Sequence, residues 1–327
     1  MSPKLSDALY RHSKHYKTLL AQADELFIKG ADGQFQALAL VELEWPNIMA
    51  GQTWASKNRA TDNRAAALCS SYPNAGSYVL DLLQTPQERI RWLKEAIQSA
   101  QRLGLKRDEE VAWGVLGNVH ILCGEPDEAV PAMRRAMRLA RELGDREAWG
   151  QNAGNLGLAL ASLGRAKRGL ALGLTAVRIA RDFNNSFAES HYVGTCGLCY
   201  LELGDAASAA ECFERQLKLA RRIGSHQAEA TALGNLSAAY QSLGRPHDAV
   251  RQFEDQLRLA RKIRDRHLEG NALGNLGTAH VAAGRSDRGI PTLLVGLRVL
   301  REVADQRGRK KIIDILNQLG VGVEDAA

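Results

Sequence analysis

Apolar residues recur along most of this chain at the spacing of one face of an α-helix. Within residues 146–163, Leu156, Leu160 and Leu163 follow one another at i, i+4 and i+7, which places them on one side of a helix. Gly164 comes next, and glycine readily adopts the left-handed conformation that ends many helices. We therefore predict a helix, named helix A, that stops at this glycine.

The same pattern returns every forty residues. Glycine occupies three columns at this spacing, with Ser237 filling one gap: Gly124, Gly164, Gly204, Gly244 and Gly284; Gly114, Gly154, Gly194, Gly234 and Gly274; Gly117, Gly157, Gly197 and Gly277. Two further columns hold alanine and arginine: Ala100, Ala140, Ala180, Ala220 and Ala260; Arg141, Arg181, Arg221, Arg261 and Arg301. Self-similarity at a fixed period of this length indicates a repeat protein.

Each period also predicts a second helix, named helix B, after the turn glycine. Pro86, Pro126 and Pro246 mark its start in three repeats, because proline suits the first helical turn, where its missing N–H needs no partner. Helix B is predicted to end near Asn184, in a column that holds glycine in other repeats. The fold class that follows is all-α, built from antiparallel helix pairs.

The glycines inside helix A need a reason, because glycine in a helix interior costs roughly 1 kcal/mol relative to alanine. We expect them to allow close approach of the facing helix. Leucine at Gly157 or Gly277 should then overpack the contact and cost about 1–3 kcal/mol.

The residues at fixed offsets in the period resemble the tetratricopeptide repeat. They are Trp113, Leu156-Gly157, Tyr200 and Tyr240, Ala129, Ala209 and Ala249, Phe213 and Phe253, and Ala136 and Ala176. The arginine column replaces the terminal proline of that family, so helix B can run on and the period exceeds the usual length of about 34. Leu-Gly-Asn-Leu at 233–236 and 273–276 resembles the long-repeat branch, which includes the kinesin light chain and the Leu-Gly-Asn-repeat scaffold of spindle orientation. The resemblance implies a right-handed superhelical solenoid whose concave groove binds peptides or proteins.

Three regions follow from the extent of the repeats. Residues 1–73 lie outside the period and form a helical N-terminal cap, residues 74–313 hold five full repeats with degenerate ends, and residues 314–327 are a capping helix remnant and tail. Within the cap we predict a helix over 5–29 and a helix or helix pair over 34–60, broken at Trp45-Pro46. After the repeats we predict a final helix over 310–319.

Residues 41–55 resemble the stretch that precedes helical repeats in bacterial signal-transducing NTPases. The chain contains no P-loop motif, so this resemblance implies a stand-alone relative of the sensor half, or a protein that never carried the ATPase. The alternative is an ordinary helical cap that covers the apolar face of the first repeat.

Composition narrows the function classes only a little. The net charge is +6, from 43 basic and 37 acidic residues, and this mild, dispersed excess does not by itself imply a nucleic-acid partner. No apolar run is long enough for a membrane span. Five cysteines and a polar N-terminus favour reduced thiols in a cytoplasmic protein.

Candidate catalytic and metal-binding groups are few. Cys196 and Cys199 form a C-x-x-C motif, but both occupy predicted core columns, and no second pair offers further zinc ligands. His120 and His280 share a column with tyrosines and are expected to pack. We predict no catalytic activity, no metal and no cofactor.

Two basic columns follow the B helices: Arg138, Arg178, Lys218, Arg258 and Arg298, and the Arg141 column three residues on. One interpretation is compensation of helix dipoles at C-terminal ends. The other is a track for acidic peptide, phosphate or nucleic acid. Neighbouring carboxylates and few aromatic residues favour the first interpretation.

The best site candidates are polar residues of helix A, away from its packing face. Asparagine recurs one residue after a mid-helix glycine although it is a poor helix former, and it can pair with a peptide backbone through both a donor and an acceptor. The predicted peptide-binding residues are Asn155, Asn235, Asn275, Gln151, His191, Thr195, Thr231 and Asn271. Val115 and Thr195 interrupt the asparagine row, and the alternative is that the asparagines bond neighbouring helices within the solenoid.

The sequence thus predicts a non-catalytic scaffold or sensor that binds a peptide or partner protein in its groove. Two alternatives stay open: a regulatory module of a signal-transducing ATPase or transcription system, and nucleic-acid binding through the basic columns. Self-association through the end repeats is a further possibility. We expect no membrane partner and do not favour a nucleic-acid one.

Overall fold

A computed structural model describes residues 3–27 and 31–322. Sixteen α-helices and no strand occur in this part of the chain. The helices are α1 (Pro3–Phe27), α2 (Ala31–Asn58), α3 (Asn63–Ala75), α4 (Ser77–Leu83), α5 (Pro86–Leu103), α6 (Lys106–Leu122), α7 (Pro126–Glu142), α8 (Arg146–Ser162), α9 (Ala166–Asp182), α10 (Ser186–Glu202), α11 (Ala206–Ile223), α12 (His226–Ser242), α13 (Pro246–Ile263), α14 (Arg266–Ala282), α15 (Ser286–Glu302) and α16 (Gln306–Gln318).

The chain divides into two compact units, residues 1–159 and 160–327. In the first unit, α1 to α4 precede the periodic helices α5 to α7 and most of α8. In the second unit, α10, α12 and α14 are A helices, and α9, α11, α13 and α15 are B helices. The prediction of an all-α chain of paired helices is confirmed.

Helix ends follow the predicted columns. Gly164 has φ of 69° and Asn184 has φ of 55°, so both occupy the left-handed region that stops a helix. The B helices α5, α7 and α13 begin at Pro86, Pro126 and Pro246. Both predicted stop signals and the predicted proline starts are confirmed.

A column of N-terminal caps was not predicted. Short polar side chains stand before five successive A-type helices and accept a backbone N–H three residues on: Asp145 from Ala148 (2.8 Å), Asn185 from Ala188 (3.0 Å), Ser225 from Ala228 (3.3 Å), Asp265 from Leu268 (2.9 Å) and Asp305 from Gly308 (2.8 Å). Leu105, in the same column, provides no side-chain cap for α6. These bonds satisfy donors that a helix start leaves unpaired.

Two predicted boundaries were wrong. The helix break at Trp45-Pro46 does not occur, because α2 continues through Pro46. Buried Val41 and Ile48 anchor α2 on both sides of the exposed proline, so packing offsets the lost backbone hydrogen bond. The last helix begins at Gln306, four residues earlier than the predicted 310–319, because the Asp305 cap fixes its start.

The second unit has a chain of small apolar clusters in place of one large core. Successive clusters centre on Ala176 and Val193, on Phe213 and Leu236, on Phe253 and Leu276, and on Leu293 and Leu316. Each cluster joins consecutive helix pairs, as expected when a repeat contacts only its neighbours.

Close helix approach explains the mid-helix glycine at 277. A Cβ built on Gly277 would lie 3.0 Å from the carbonyl oxygen of Gly289 and 2.7 Å from Leu293 Cγ. The predicted close approach is therefore confirmed at this position. The effect of leucine there, and the case of Gly157, stay predictions.

Candidate functional site

The predicted site positions lie on the A helices α8, α10, α12 and α14. Gln151, His191 and Thr231 are exposed, whereas the asparagines at 155, 235, 271 and 275 are partly buried. Thr195 differs, because it is 2% exposed and donates from Oγ1 to the His191 carbonyl oxygen at 3.4 Å. Thr195 therefore offers little surface to a ligand.

In the first unit, a cavity of about 250 Å³ opens between α6 and α8. Two predicted residues, Gln151 and Asn155, line it. The other lining residues were not predicted and are Arg107, Glu110, Val111, Gly114, Val115, Asn118, Asp145, Glu147, Ala148 and Asn152. Gly114 leaves room for Asn152, whose Oδ1 would lie 2.7 Å from a Cβ at 114.

This cavity is acidic, with a buried carboxylate in its wall. Glu110 is 3% exposed and accepts from Asn152 Nδ2 at 2.8 Å. Burial nevertheless raises the pKa of Glu110. Arg107 lies 3.7 Å from Glu110 and also pairs with Asp145. The backbone N–H of Ala148, followed by Arg107, lowers the pKa of Asp145.

Two of the asparagines bond to neighbouring helices. Asn155 Nδ2 donates to Asn118 Oδ1 at 2.8 Å, and Lys311 Nζ donates to Asn275 Oδ1 at 3.2 Å. Asn271 Nδ2 bonds within its own helix, to the His267 carbonyl oxygen at 3.1 Å. These contacts match the alternative in which asparagines link helices, although an exposed amide keeps further donors and acceptors.

In the second unit, a cavity of about 200 Å³ opens between α10 and α12. His191 and Thr231 line it, together with Phe187, Ser190, Gln216, Ser225, Gln227 and Ala228. Phe187 is 67% exposed at its edge. Gln216 is 5% exposed, and its side-chain amide makes no hydrogen bond to any residue in the described ranges.

Gln256, forty residues after Gln216, donates from Nε2 to the Ala230 carbonyl oxygen at 2.8 Å, a bond that Gln216 does not make. The buried Oε1 atoms of both glutamines accept no hydrogen bond within the described residues. Gly194 and Gly234 leave the space that these glutamines occupy. The sequence did contain a signal for these two glutamines. One forty-residue column holds alanine at 136 and 176 but glutamine at 216 and 256.

A third cavity, between α14 and α16, holds Asn271 and Asn275 but has a volume of only about 20 Å³. Lys311 and Ile312 are among its lining residues. This space is too small for more than a water-sized group.

Three members of the arginine column form ion pairs with a glutamate column that was not predicted. Arg Nε contacts Glu Oε1 eight residues later in three repeats: Arg181 and Glu189 (2.9 Å), Arg221 and Glu229 (2.7 Å), Arg261 and Glu269 (2.9 Å). Each pair links the end of a B helix to the next A helix. The pairing supports a structural role for these arginines, through helix-to-helix bonds more than through helix dipoles.

The cysteines and histidines lie where the sequence predicted them. Cys196 and Cys199 are buried, and burial raises the pKa of Cys196 to about 12 and of Cys199 to about 11, so both remain protonated thiols. His120 and His280 are also buried. Within residues 3–27 and 31–322, no group of three or more His, Cys, Asp or Glu side chains could hold a metal ion. None of the helices described there has the length and apolar character to cross a membrane.

The paired helices, the forty-residue columns and the cavities between A helices define an α-helical repeat protein. Family models of the tetratricopeptide repeat match residues 112–147 and 187–262. These two segments of the chain are therefore tetratricopeptide repeats. No curated protein sequence matches it.

Several solved structures share the fold. BtubC (BKLC) from P. vanneervenii is 17% identical, with a TM-score of 0.58, covering 68% of this chain and 94% of that one. A STAND protein with a tetratricopeptide repeat sensor, from Pyrococcus horikoshii, is 14% identical, with a TM-score of 0.58 and coverage of 98% and 51%. The quorum sensor NprR from B. thuringiensis, in its apo form, is 14% identical, with a TM-score of 0.60 and coverage of 90% and 81%. At these identities the similarity shows the fold alone.

Proposed function

We propose that this protein is a non-catalytic interaction module, a scaffold or sensor, that binds an extended peptide or a segment of a partner protein along its A helices. The observation that carries the proposal is the state of Gln216 beside the cavity between α10 and α12. Its buried Oε1 accepts no hydrogen bond, and its Nε2, unlike that of Gln256, donates none within the described residues. Burying an acceptor such as Oε1 without a partner costs about 1–3 kcal/mol. A bound peptide group could relieve that cost, because it supplies both a donor and an acceptor.

The surroundings of Gln216 suit a peptide segment. Phe187 offers an exposed aromatic face at the cavity edge, and His191 and Thr231 add polar groups beside it. A half-turn about χ3 exchanges the oxygen and nitrogen of the glutamine amide, so the cavity can present either a donor or an acceptor. Asn235, one turn after Thr231, makes no side-chain hydrogen bond within the described part of the chain and adds a second free amide.

The similar proteins support a binding role in general terms. One is named a quorum sensor and another carries a tetratricopeptide repeat sensor, so the shared fold serves sensing in both. Ion pairs hold Arg181, Arg221 and Arg261, three of the five members of the Arg141 column, and this does not favour the nucleic-acid alternative.

The test begins with peptides selected by the wild-type protein from a random display library. Their affinities are then measured by calorimetry against Gln216→Leu and against the Asn155/Asn235/Asn275→Ala triple variant. We expect both variants to bind roughly tenfold more weakly, about 1.4 kcal/mol. Gln256→Leu is the matched control. It removes the bond to the Ala230 carbonyl oxygen and should lower stability while leaving affinity unchanged.

Circular dichroism must show that each variant is folded. Wild-type affinity in both folded variants would refute the A-helix site. A protein that selects no peptide and forms oligomers in sedimentation would instead favour self-association.

A further inference from the structure

The arginine and glutamate columns form a series of ion pairs, here called the ladder. In the first unit, one of these pairs lacks its glutamate. In three repeats of the second unit, an arginine near the end of helix B holds a glutamate eight residues later at 2.7–2.9 Å. Arg141 belongs to the arginine column, but the residue eight positions on is Trp149. The carboxylate that the ladder places at this position is missing there.

The groups around this gap are free. Arg141 is exposed, and within the described residues it makes no hydrogen bond, ion pair or ring contact. The Trp149 indole is partly buried, and its N–H donates no hydrogen bond to those residues. Arg141 and Trp149 therefore present six unused N–H donors at one place, five on the guanidinium and one on the indole.

A cavity of about 390 Å³ lies over these two side chains. Its other lining residues are Ala140, Gly144, Asp145 and Arg146. Asp145 is engaged by Arg107 and by the backbone N–H of Ala148, and Arg146 has partners of its own. The single carboxylate of the cavity is thus already paired, and Arg141 supplies uncompensated positive charge.

We propose that Arg141 and Trp149 form a subsite for a carboxylate that is carried by a ligand next to an apolar group. The carboxylate takes the place that glutamate holds in the other repeats and receives the guanidinium donors, which match a planar carboxylate. The apolar group packs against the indole. This subsite does not depend on the proposed function, because Trp149 and Gln151 are about 200° apart around α8 and face different sides of the helix.

The probe for this subsite is N-acetyl-phenylalanine, with its carboxamide as the uncharged match. Ligand-observed NMR on the full chain measures the affinity of both compounds. We expect saturable binding of the acid and at least tenfold weaker binding of the amide. Equal binding of the two compounds, or no binding of the acid, would overturn the proposal.

Three variants locate the binding. Arg141→Gln removes the charge, and Trp149→Glu restores the missing glutamate of the ladder, so each should weaken the acid at least tenfold. Trp149→Glu should remain folded, because glutamate occupies this column in other repeats. Arg181→Gln is the control, since Arg181 already holds Glu189, and it should bind the acid as the wild type does. Undiminished binding by Arg141→Gln would contradict the assignment.

Two further probes separate the possible sources of the carboxylate. An N-acetylated Phe-Glu amide carries it on a side chain, whereas N-acetyl-phenylalanine carries it at a chain terminus. Whichever binds more tightly identifies the source, and both outcomes support a carboxylate subsite. Inorganic phosphate that displaces the acid at equal concentration would show a general anion site and overturn the carboxylate assignment.

Discussion

The helices before the repeats and the repeats of the second unit are held together in different ways. In α1 to α4, large side chains and contacts that occur once decide the packing. Tyr72 donates from its hydroxyl to the Ser13 carbonyl oxygen at 2.9 Å, and Ser13 donates from Oγ to the Gly51 carbonyl oxygen at 2.8 Å. Trp92 of α5 completes this cluster between Trp45 and Tyr72, with ring centroids 6.3 and 6.0 Å away.

The second unit uses the same few contacts repeatedly. Polar caps, left-handed stops and arginine–glutamate pairs return every forty residues. Small residues in columns set the distance between helices, as at Gly277 and Gly289. Periodic contacts show up in the sequence as columns, whereas a contact made once leaves no column to find. We therefore expect the stability of the helices before the repeats to depend on a few side chains. In the second unit, we expect stability to be shared among many similar contacts.

Removing the indole ring of Trp92 should cause the largest loss of stability. Trp92 is fully buried, so Trp92→Ala should destabilise the protein by about 3–5 kcal/mol. Urea unfolding followed by circular dichroism measures the loss. Trp92→Phe keeps an aromatic ring and should lose clearly less. A loss below about 1 kcal/mol for alanine would show that this region does not depend on one side chain.

Overpacking tests the close helix approach in the second unit. Gly277→Leu should cost about 1–3 kcal/mol, because the new side chain meets the Gly289 backbone and Leu293. Thermal and urea unfolding give the value. Arg251→Leu places the same side chain at an exposed position of α13 and should change stability by less than about 0.5 kcal/mol. Equal stability of the two variants would contradict the packing role of Gly277.

The repeat fold could be predicted because its signals recur. Helix ends, proline starts and the close approach at Gly277 all come from columns. The break predicted at Pro46 was wrong because packing of Val41 and Ile48 overrides local preference. The capping column and the glutamate column were equally readable and were missed, although both return every forty residues.

The candidate site could be predicted only in part. The sequence predicted a site on the A helices, and Gln151 and His191 line two cavities there. It did not indicate Gln216, because that glutamine matters through the absence of a partner that Gln256 has. It did not indicate Glu110 either, since its burial depends on Asn152 from the next A helix.

Leu105 lacks the side-chain cap that the same column provides in later repeats. Adding a cap there tests whether this column also stabilises the repeat nearest the N-terminal helices. Leu105→Asn should stabilise the protein by about 0.5–1 kcal/mol, because asparagine can cap α6 as Asn185 caps α10. Leu105→Ala removes the same leucine without adding a cap and serves as the control. Urea midpoints that do not differ between these two variants would show that the cap column contributes little in this repeat.

The smallest expected effect concerns pH and the cap of α16. The Gly308 backbone N–H bond, followed by the interaction with His267, holds the pKa of Asp305 below its ordinary value of 3.8. A carboxylate with a depressed folded-state pKa stabilises the protein above its unfolded pKa, and this contribution is lost as pH falls through the folded pKa. Asp305→Asn keeps an N-cap acceptor but has no carboxylate to titrate. Between neutral pH and pH values below 3.8, the variant should therefore lose less stability than the wild type in urea unfolding. An equal loss in both proteins would show that other carboxylates cause the acid sensitivity. The stabilisation by the Asp305 cap would then not depend on the charge of its carboxyl group.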